Sequence, residues 1–248
     1  MLKLDIAKAF DSVSWTYLLD MLRARGFSVR WREWIAMLLR TSSSRVLING
    51  ALSDSISHRQ GLRQGDPISP FLFVLAMDPL QRIMSLATER GLLSKLPGRR
   101  SVMRCSFYAD DVVLFLKPSA SDANMIKLLL TFFGSVTGLH TNISKSSAMP
   151  IRCENLDLQQ LLQPLGVVVK HFPCTYLGMP LSLRALKKVD LEPWLLKFGD
   201  KTACWKGSMM AKSGRLVLLK STLISLAIYL TTVHKLPVWI RKQVVRLC

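Results

Sequence analysis

The stretch SVMRCSFYADDVVLFLK, from Ser101 to Lys117, decides the fold, because two apolar runs flank a short acidic turn. The run from Val112 to Leu116 is β-branched and aromatic and has the length of a strand, and further apolar residues precede the turn. This pattern predicts a buried β-hairpin. Its turn sets two carboxylates, Asp110 and Asp111, side by side, which is unfavourable unless a cation neutralises them. An ordinary acidic surface turn is the alternative interpretation.

A second strand with a carboxylate opens the chain, over Met1 to Ala7. Its apolar residues alternate with polar ones, so Asp5 is expected to point away from the apolar side. A sheet that places this strand beside the acidic hairpin would bring Asp5 and Asp110 together. Such a cluster suits Mg²⁺, and two such ions can promote an in-line phosphoryl displacement.

The composition points to a polyanionic partner. The 248 residues include 34 Lys and Arg against 16 Asp and Glu, for a formal net charge of +18 and a pI near 10.2. Nucleic acid is the first candidate partner and an anionic membrane the second. The apolar segment from Leu216 to Val233 is interrupted by Lys220, which favours a buried helix over a membrane span. We therefore predict no membrane association.

The cysteines and the N-terminus indicate an intracellular protein. The five cysteines are scattered, odd in number and without the paired spacing of zinc sites, which is typical of reduced thiols. The residues after Met1 do not resemble a signal peptide.

Two apolar helices are predicted around the acidic hairpin. One begins at Ser69-Pro70 and is apolar on more than one stripe, so we expect it to be buried. The other is capped by Ser121 and ends before Gly138. Its regularly spaced apolar residues are expected to be core: Met125, Leu128, Leu129, Phe132, Phe133 and Val136.

The charge changes after residue 180. From Leu181 onward there are 13 basic and 3 acidic residues, and segments near Glu192 to Trp205 and Gly214 to His234 have a helical pattern. We place a domain boundary there, between 1–180 and 181–248.

Five segments, in this order, resemble the motifs of reverse transcriptases, in particular those of LINE-type (non-LTR) retrotransposons of plants. They are LDIAKAFD (Leu4 to Asp11), QGDPISP (Gln64 to Pro70), YADD (Tyr108 to Asp111), Gly138-Leu139 with Asn142, Lys145 and Ser146, and YLGMP (Tyr176 to Pro180). The resemblance implies an α+β fold, a right-hand polymerase palm with an antiparallel sheet packed on helices in a ferredoxin-like arrangement. A helical partial thumb or connection segment would follow it.

The resemblance also implies a metal site and its neighbours. Asp5 and Asp110 would be the catalytic metal ligands, Asp111 an auxiliary catalytic carboxylate, and Ile6 would lend its backbone carbonyl. Lys145 matches a catalytic residue near the triphosphate, where an ammonium could protonate or neutralise the departing pyrophosphate. An isolated lysine is more often only a surface residue.

Further residues match contacts to the nucleotide and the primer. Phe10 matches the aromatic beneath the sugar of the incoming nucleotide, where a ring leaves no room for a 2′-hydroxyl; plain core is the alternative. Gln64 and Gly65 match the loop that contacts the nucleotide and template. Tyr176, Leu177 and Gly178 match the turn that grips the primer.

The implied function is RNA-directed DNA polymerase activity, which adds deoxynucleotides to a DNA 3′-hydroxyl with two Mg²⁺, or Mn²⁺ as a substitute. The partners would be an RNA template, a DNA primer and deoxynucleoside triphosphates, and the site of action would be the nucleus. Met1 lies only four residues before Asp5, so we expect a fragment that lacks the fingers. An RNA-templated RNA polymerase is disfavoured by Phe10 and Ala109. The remaining alternative is a catalytically inactive, nucleic-acid-binding remnant.

Overall fold

A five-stranded sheet lies at the centre of residues 1–171. In this sheet β1 (Leu2–Ile6) is the middle strand, with β7 (Asp111–Leu114) and β6 (Cys105–Tyr108) on one side and β8 (Thr141–Ala148) and β9 (Val168–Val169) on the other. All pairs are antiparallel except the last two strands, which are parallel. The predicted strand at the N-terminus and the predicted hairpin are both present.

The computed structural model describes residues 1–97, 104–153, 156–203, 211–233 and 237–247. These residues form two units, 1–171 and 172–248. Val102 and Met103, which we expected in the first strand of the hairpin, lie outside the described residues.

One face of the sheet forms the core of the first unit. Leu2, Leu4 and Ile6 of β1 are buried, and the residues between them are half-buried. Directly opposed residues of antiparallel strands share a face, so Val112 and Leu114 lie on the same apolar face. The other face carries the polar side chains of Lys3 and Asp5, as the alternation in β1 predicts, together with Val113, which is buried opposite Lys3.

Six helices accompany the sheet in the described part of this unit: α1 (Ala9–Ser12), α2 (Trp15–Ala24), α3 (Val29–Arg40), α4 (Ser69–Glu89), α5 (Ala120–Thr137) and α6 (Leu158–Leu161). A 3₁₀ turn (Gln163–Leu165) follows α6. Between α3 and α4 the chain makes two short antiparallel pairs. They join β2 (Ser43–Ser44) to β5 (Ile56–Ser57) and β3 (Leu47–Ile48) to β4 (Ala51–Leu52).

The two long helices are less buried than the sequence predicts. On α4, Phe71 is 71% exposed and Val74 is also exposed. On α5, Phe132 is 57% exposed, and Leu128 and Val136 are exposed as well. A helix packed on one side buries only a stripe, so the expectation that all of these residues are core is wrong.

The start of α5 differs from the prediction, whereas α4 begins at Ser69 with Pro70 in its first turn, as predicted. Ser119, not Ser121, caps α5, and its hydroxyl accepts a hydrogen bond from the backbone of Asp122. Asp66 closes the turn that precedes α4. Its carboxylate accepts a hydrogen bond from the backbone N–H of Ile68, and its carbonyl accepts one from the backbone N–H of Ser69. Serine and aspartate side chains both favour the positions at a helix start. Where several lie close together, the sequence does not show which one accepts the hydrogen bond.

Within the described residues, α4 is long and apolar enough to cross a membrane by length and composition. Its buried residues, which include Phe73 and Leu80, belong to the same hydrophobic core as the sheet. Core helices of soluble domains meet the same criterion.

The second unit, residues 172–248, begins with a hairpin of β10 (Cys174–Tyr176) and β11 (Met179–Leu181). Its helices are α7 (Lys188–Ala203), α8 (Lys212–Leu218), a π-helical turn (Leu219–Leu223), α9 (Ile224–Val233) and α10 (Val238–Leu247). The ammonium of Lys188 lies 5.7 Å from the centre of a ring of Trp239, which connects α7 to α10.

The helical character predicted for the region after residue 180 is confirmed. The predicted ends at Trp205 and His234 lie outside the described residues. The boundary between 1–180 and 181–248 stays a prediction.

Candidate active site

Three acidic residues occupy one end of the sheet. Asp5 on β1 lies directly opposite Asp111 on β7, and Asp110 occupies the turn just before it. Side chains of directly opposed residues have Cβ atoms about 4.5 to 5.5 Å apart. Two like charges at that separation repel, so a cation near them is favoured.

The turn that holds Asp110 has an unusual backbone. Tyr108 pairs with Asp111 across it, and the intervening Ala109 has a φ of 51°. A left-handed conformation costs a non-glycine residue about 1 to 2 kcal/mol. Strain of this kind persists where the surrounding structure fixes it, often at functional sites.

A basic residue that we did not single out also lies at this end. The Lys3 ammonium is 3.6 Å from the Asp111 carboxylate, and both side chains are about one-third exposed. Lys3 precedes Asp5 by two positions on β1, so the period of the strand alone places the two on one face. That spacing could have identified Lys3 from the sequence.

The oxygen donors at this end fit a hard divalent cation. Within the described residues, no group of three or more His, Cys, Asp and Glu side chains gathers as a closed metal site. Mg²⁺ does not need one, since it is usually bound by one or two carboxylates and completes its shell with substrate phosphates and water. Asp5 and Asp110 could supply the carboxylates. The side chain of Ile6 is a buried hydrocarbon, so only the backbone carbonyl of this residue could coordinate a metal ion.

The thiol of Cys105, at the end of the hairpin away from the turn, takes no part in such chemistry. Cys105 on β6 is buried, and burial raises the pKa of this thiol to about 12. A protonated, buried thiol is neither a metal ligand nor a nucleophile.

A cavity of about 510 Å³ lies beside Phe10. Its size is in the range of small-molecule sites. The lining combines the expected nucleotide contacts with further residues of the same loop: Phe10, Gln64, Gly65, Asp66, Pro67, Ser69 and Pro70. The structure thus brings together the three residues that the sequence predicted as nucleotide contacts.

The Phe10 ring is held from behind. It stacks on Phe73 of α4, with ring centroids 4.6 Å apart and planes 14° from parallel. Phe10 is half-buried rather than part of the closed core. One side of the ring is therefore supported, and the residue still lines the cavity.

Backbone contacts fix the helical turn α1 that carries Phe10. The carbonyl of Phe10 accepts a hydrogen bond of 2.6 Å from Leu62, and the indole of Trp15 donates one of 2.7 Å to the carbonyl of Gly61. A Cβ on Gly61 would lie 2.6 Å from the Asp11 carbonyl oxygen. Only glycine permits so close an approach.

Gly138 makes a similar contact on α1. It ends α5 with a φ of 82°, and a Cβ there would lie 2.1 Å from the carbonyl oxygen of Ser12. Beside it, the backbone N–H of Ser14 donates a hydrogen bond of 2.8 Å to the carbonyl of Thr137. Gly61 and Gly138 thus both pack directly against the backbone of α1.

Lys145 lies on β8, the other neighbour of β1, and its side chain is exposed. The strand pairs Asn142 with Asp5, so Lys145 follows at the same end of the sheet as the carboxylates. The catalytic role of Lys145 stays a prediction.

The expected primer-contacting residues form the turn of the hairpin in the second unit. Tyr176 pairs with Met179, and Leu177 and Gly178 between them have φ values of 50° and 76°. Two successive positive φ values are typical of a tight two-residue hairpin turn. The role of this turn at the primer stays a prediction.

Comparison with known proteins places these segments in one family. A family model described as "Reverse transcriptase (RNA-dependent DNA polymerase)" matches residues 1–181. Among similar proteins is the Retrovirus-related Pol polyprotein from type-2 retrotransposable element R2DM of Drosophila melanogaster. It is 32% identical over 149 residues, which cover 60% of this chain and 13% of that protein.

Two further relatives differ in their coverage. An uncharacterized 149 kDa protein of transposon TX1 from Xenopus laevis is 32% identical over 150 residues, 60% of this chain and 11% of that protein. An uncharacterized mitochondrial protein of Arabidopsis thaliana is 44% identical over 54 residues, 22% of this chain and 42% of its own length. The chain thus spans only a small part of the length of the two transposon proteins.

Proposed function

The chain belongs to the reverse transcriptase (RNA-dependent DNA polymerase) family of non-LTR retrotransposons, and we propose that it forms the catalytic palm of such an enzyme. The proposed reaction adds deoxynucleotides to a DNA 3′-hydroxyl on an RNA template. The observation that supports it most directly is the pairing of Asp5 with Asp111 across the strands beside the Asp110 turn. The family resemblance extends the proposal to the nucleus, where elements of this type insert.

The proposed metal site uses the acidic end of the sheet. Asp5, Asp110 and the backbone carbonyl of Ile6 would hold two Mg²⁺ ions, or Mn²⁺ in their place. When bound, such ions activate the attacking hydroxyl and neutralise charge on the leaving phosphates. Asp111 is an auxiliary carboxylate, and its ion pair with Lys3 moderates the repulsion from Asp5.

The protein side chains would orient the nucleotide and supply a proton. The primer 3′-hydroxyl would lose its proton to water, its oxygen would form a bond to the α-phosphorus, and the bond between that phosphorus and the pyrophosphate would break. Lys145 would donate a proton to, or neutralise, the departing pyrophosphate. Gln64 and Gly65 would contact the base pair at the edge of the cavity, and the turn at Tyr176 to Gly178 would hold the primer.

Phe10 is the proposed selector for deoxynucleotides. Its ring lines the cavity and is backed by Phe73, so it has no room to withdraw from a 2′-hydroxyl. Replacing Phe10 with Val should raise ribonucleotide incorporation relative to deoxynucleotide incorporation by about 10- to 100-fold. Single-nucleotide primer extension measures the two kcat/KM values.

Phe132→Val is the matched control for this prediction, since Phe132 is an exposed phenylalanine on α5. It should leave the ratio of the two kcat/KM values within about twofold. An unchanged ratio in Phe10→Val would contradict the selector role and favour Phe10 as a structural residue.

Primer extension is the direct test of the proposed function. The full chain, and a longer protein that carries this sequence, are given an RNA template, an annealed DNA primer and deoxynucleotides with Mg²⁺ or Mn²⁺. The proposal expects template-dependent, metal-dependent extension from at least the longer protein. No extension by either protein with either metal would overturn it.

The net charge of +18 supports a second candidate, a nucleic-acid-binding remnant without catalysis. Binding through phosphate contacts releases counterions, so affinity for an RNA–DNA duplex should fall by about 10³-fold between 50 and 200 mM salt. Fluorescence anisotropy at a series of salt concentrations measures this dependence.

Substitution of an acidic residue distinguishes the two candidate functions. Asp5→Asn should leave duplex affinity within about twofold in either case, because the affinity comes from basic residues. Binding that survives this change, together with no extension under any metal, would favour the remnant. Affinity that does not respond to salt would contradict both candidates.

A further inference from the structure

Strand β8 contains a large bulge next to Asp5. Lys3 pairs with Ser147 and Asp5 pairs with Asn142, so a step of two residues along β1 corresponds to five along β8. The extra length lies between Asn142 and Ser147 and includes Lys145. Bulges next to active sites commonly re-aim a side chain or end a run of strand pairing.

The hydroxyl of Ser146, which lies in the bulge, accepts the backbone hydrogen bond of Asp5. The backbone N–H of Asp5 donates to Ser146 Oγ at 3.2 Å, and this hydroxyl donates to the carbonyl of Asn142 at 2.7 Å. Ser146 is 2% exposed, so water does not readily substitute for it. Without this hydroxyl, the backbone donor of Asp5 would be unsatisfied in a half-buried position.

The side chain of Asn142 folds the rest of the bulge. Its Oδ1 accepts from the hydroxyl of Ser144 at 2.7 Å and from the backbone N–H of Lys145 at 3.4 Å. A side-chain oxygen that accepts from residues two and three positions later closes a local turn. This turn sets the direction in which Lys145 leaves the strand.

We propose that Asn142 and Ser146 are positioning residues that couple the metal-binding end of β1 to Lys145. Ser146 holds the backbone of Asp5 and donates to the backbone carbonyl of Asn142, and the side chain of Asn142 holds the backbone of Lys145. The inference rests on the proposed function for its catalytic consequence. Its structural part stands on the hydrogen bonds alone.

The structural part is tested on the full chain by amide hydrogen exchange. Ser146→Ala should increase the exchange rate of the Asp5 amide by about tenfold, because this half-buried N–H loses its hydrogen-bond acceptor. Ser147→Ala is the matched control, because Ser147 is the neighbouring buried serine and pairs with Lys3 instead. Equal exchange at Asp5 in the two variants would overturn the role of Ser146.

The catalytic part is tested by primer extension with a double-mutant cycle. Asn142→Ala should lower kcat about as much as Lys145→Ala, with the KM for the nucleotide within about twofold. The double variant should be no slower than Lys145→Ala alone, because both changes remove the same interaction. Asn142→Ser, which keeps a side-chain acceptor for the local turn, should recover part of kcat. Effects that multiply in the double variant would overturn the coupling.

The two tests distinguish this inference from the proposed function. If no variant and no wild-type protein extends a primer, the proposed function fails while the exchange of Asp5 still decides the role of Ser146. If the wild type is active and Asn142→Ala keeps full kcat, the proposed function survives and the inference fails.

Discussion

Replacing Asp110 with Asn should abolish primer extension, with a loss of about 10³-fold or more in kcat, in any longer protein that contains this palm. The amide keeps the size of the carboxylate and removes the negative charge that a divalent cation requires. The Asp110 side chain is exposed in its turn, so the folded state should be unaffected. Single-turnover primer extension measures the loss, and circular dichroism confirms the fold.

Asp54→Asn provides the control for this change, since Asp54 is an exposed aspartate between β4 and β5. It should retain full activity. Activity retained by Asp110→Asn would exclude Asp110 as a metal ligand.

Replacing Gly138 with Ala should lower the free energy of unfolding of the first unit by about 3 to 5 kcal/mol. The new Cβ adds two costs, a positive φ and an approach of 2.1 Å to the carbonyl oxygen of Ser12. Because that atom belongs to the backbone of α1, it cannot turn aside as a side chain would. Natural domains are stable by only about 5 to 15 kcal/mol, so a large part of the stability is at risk. Urea denaturation followed by circular dichroism measures the change.

Gly26→Ala separates the two costs. Gly26 follows α2 with a φ of 80°, and a Cβ there would have no atom within 4 Å. This variant should lose only about 1 kcal/mol, from the backbone conformation alone. Equal losses in the two variants would show that the contact with Ser12 does not matter.

Local alternation in the sequence was enough to predict the strand of Asp5 and the hairpin of Asp110, but not that the two lie side by side. The alternation along the strand placed Asp5 on the other face of the sheet from Leu4, and the two apolar runs around Asp110 defined the hairpin. Because both signals are local, they required no knowledge of distant partners. The motifs then supplied the residues around the cavity, and the structure brings Phe10 and Gln64 to it.

Other features depend on contacts that a local pattern cannot contain. The bulge at Ser146 exists because β8 pairs with a strand about 140 residues earlier, and no period within β8 indicates it. The same limit explains Phe132, whose helical spacing is that of a core residue although no described element covers it. Spacing predicts which residues share a face, and only the tertiary structure determines what that face meets.

The position of β1 in the sheet also has a consequence for how the chain folds. β1 is synthesised before both of its neighbours, β7 and β8, which come more than a hundred residues later in the chain. At typical rates of synthesis, its apolar residues wait about 5 to 20 s for the first of those partners to leave the ribosome. Sheets closed by such distant contacts fold slowly, and unpaired strands invite aggregation in the meantime. We therefore expect expression of this palm to depend on temperature and chaperones more than its final stability would suggest.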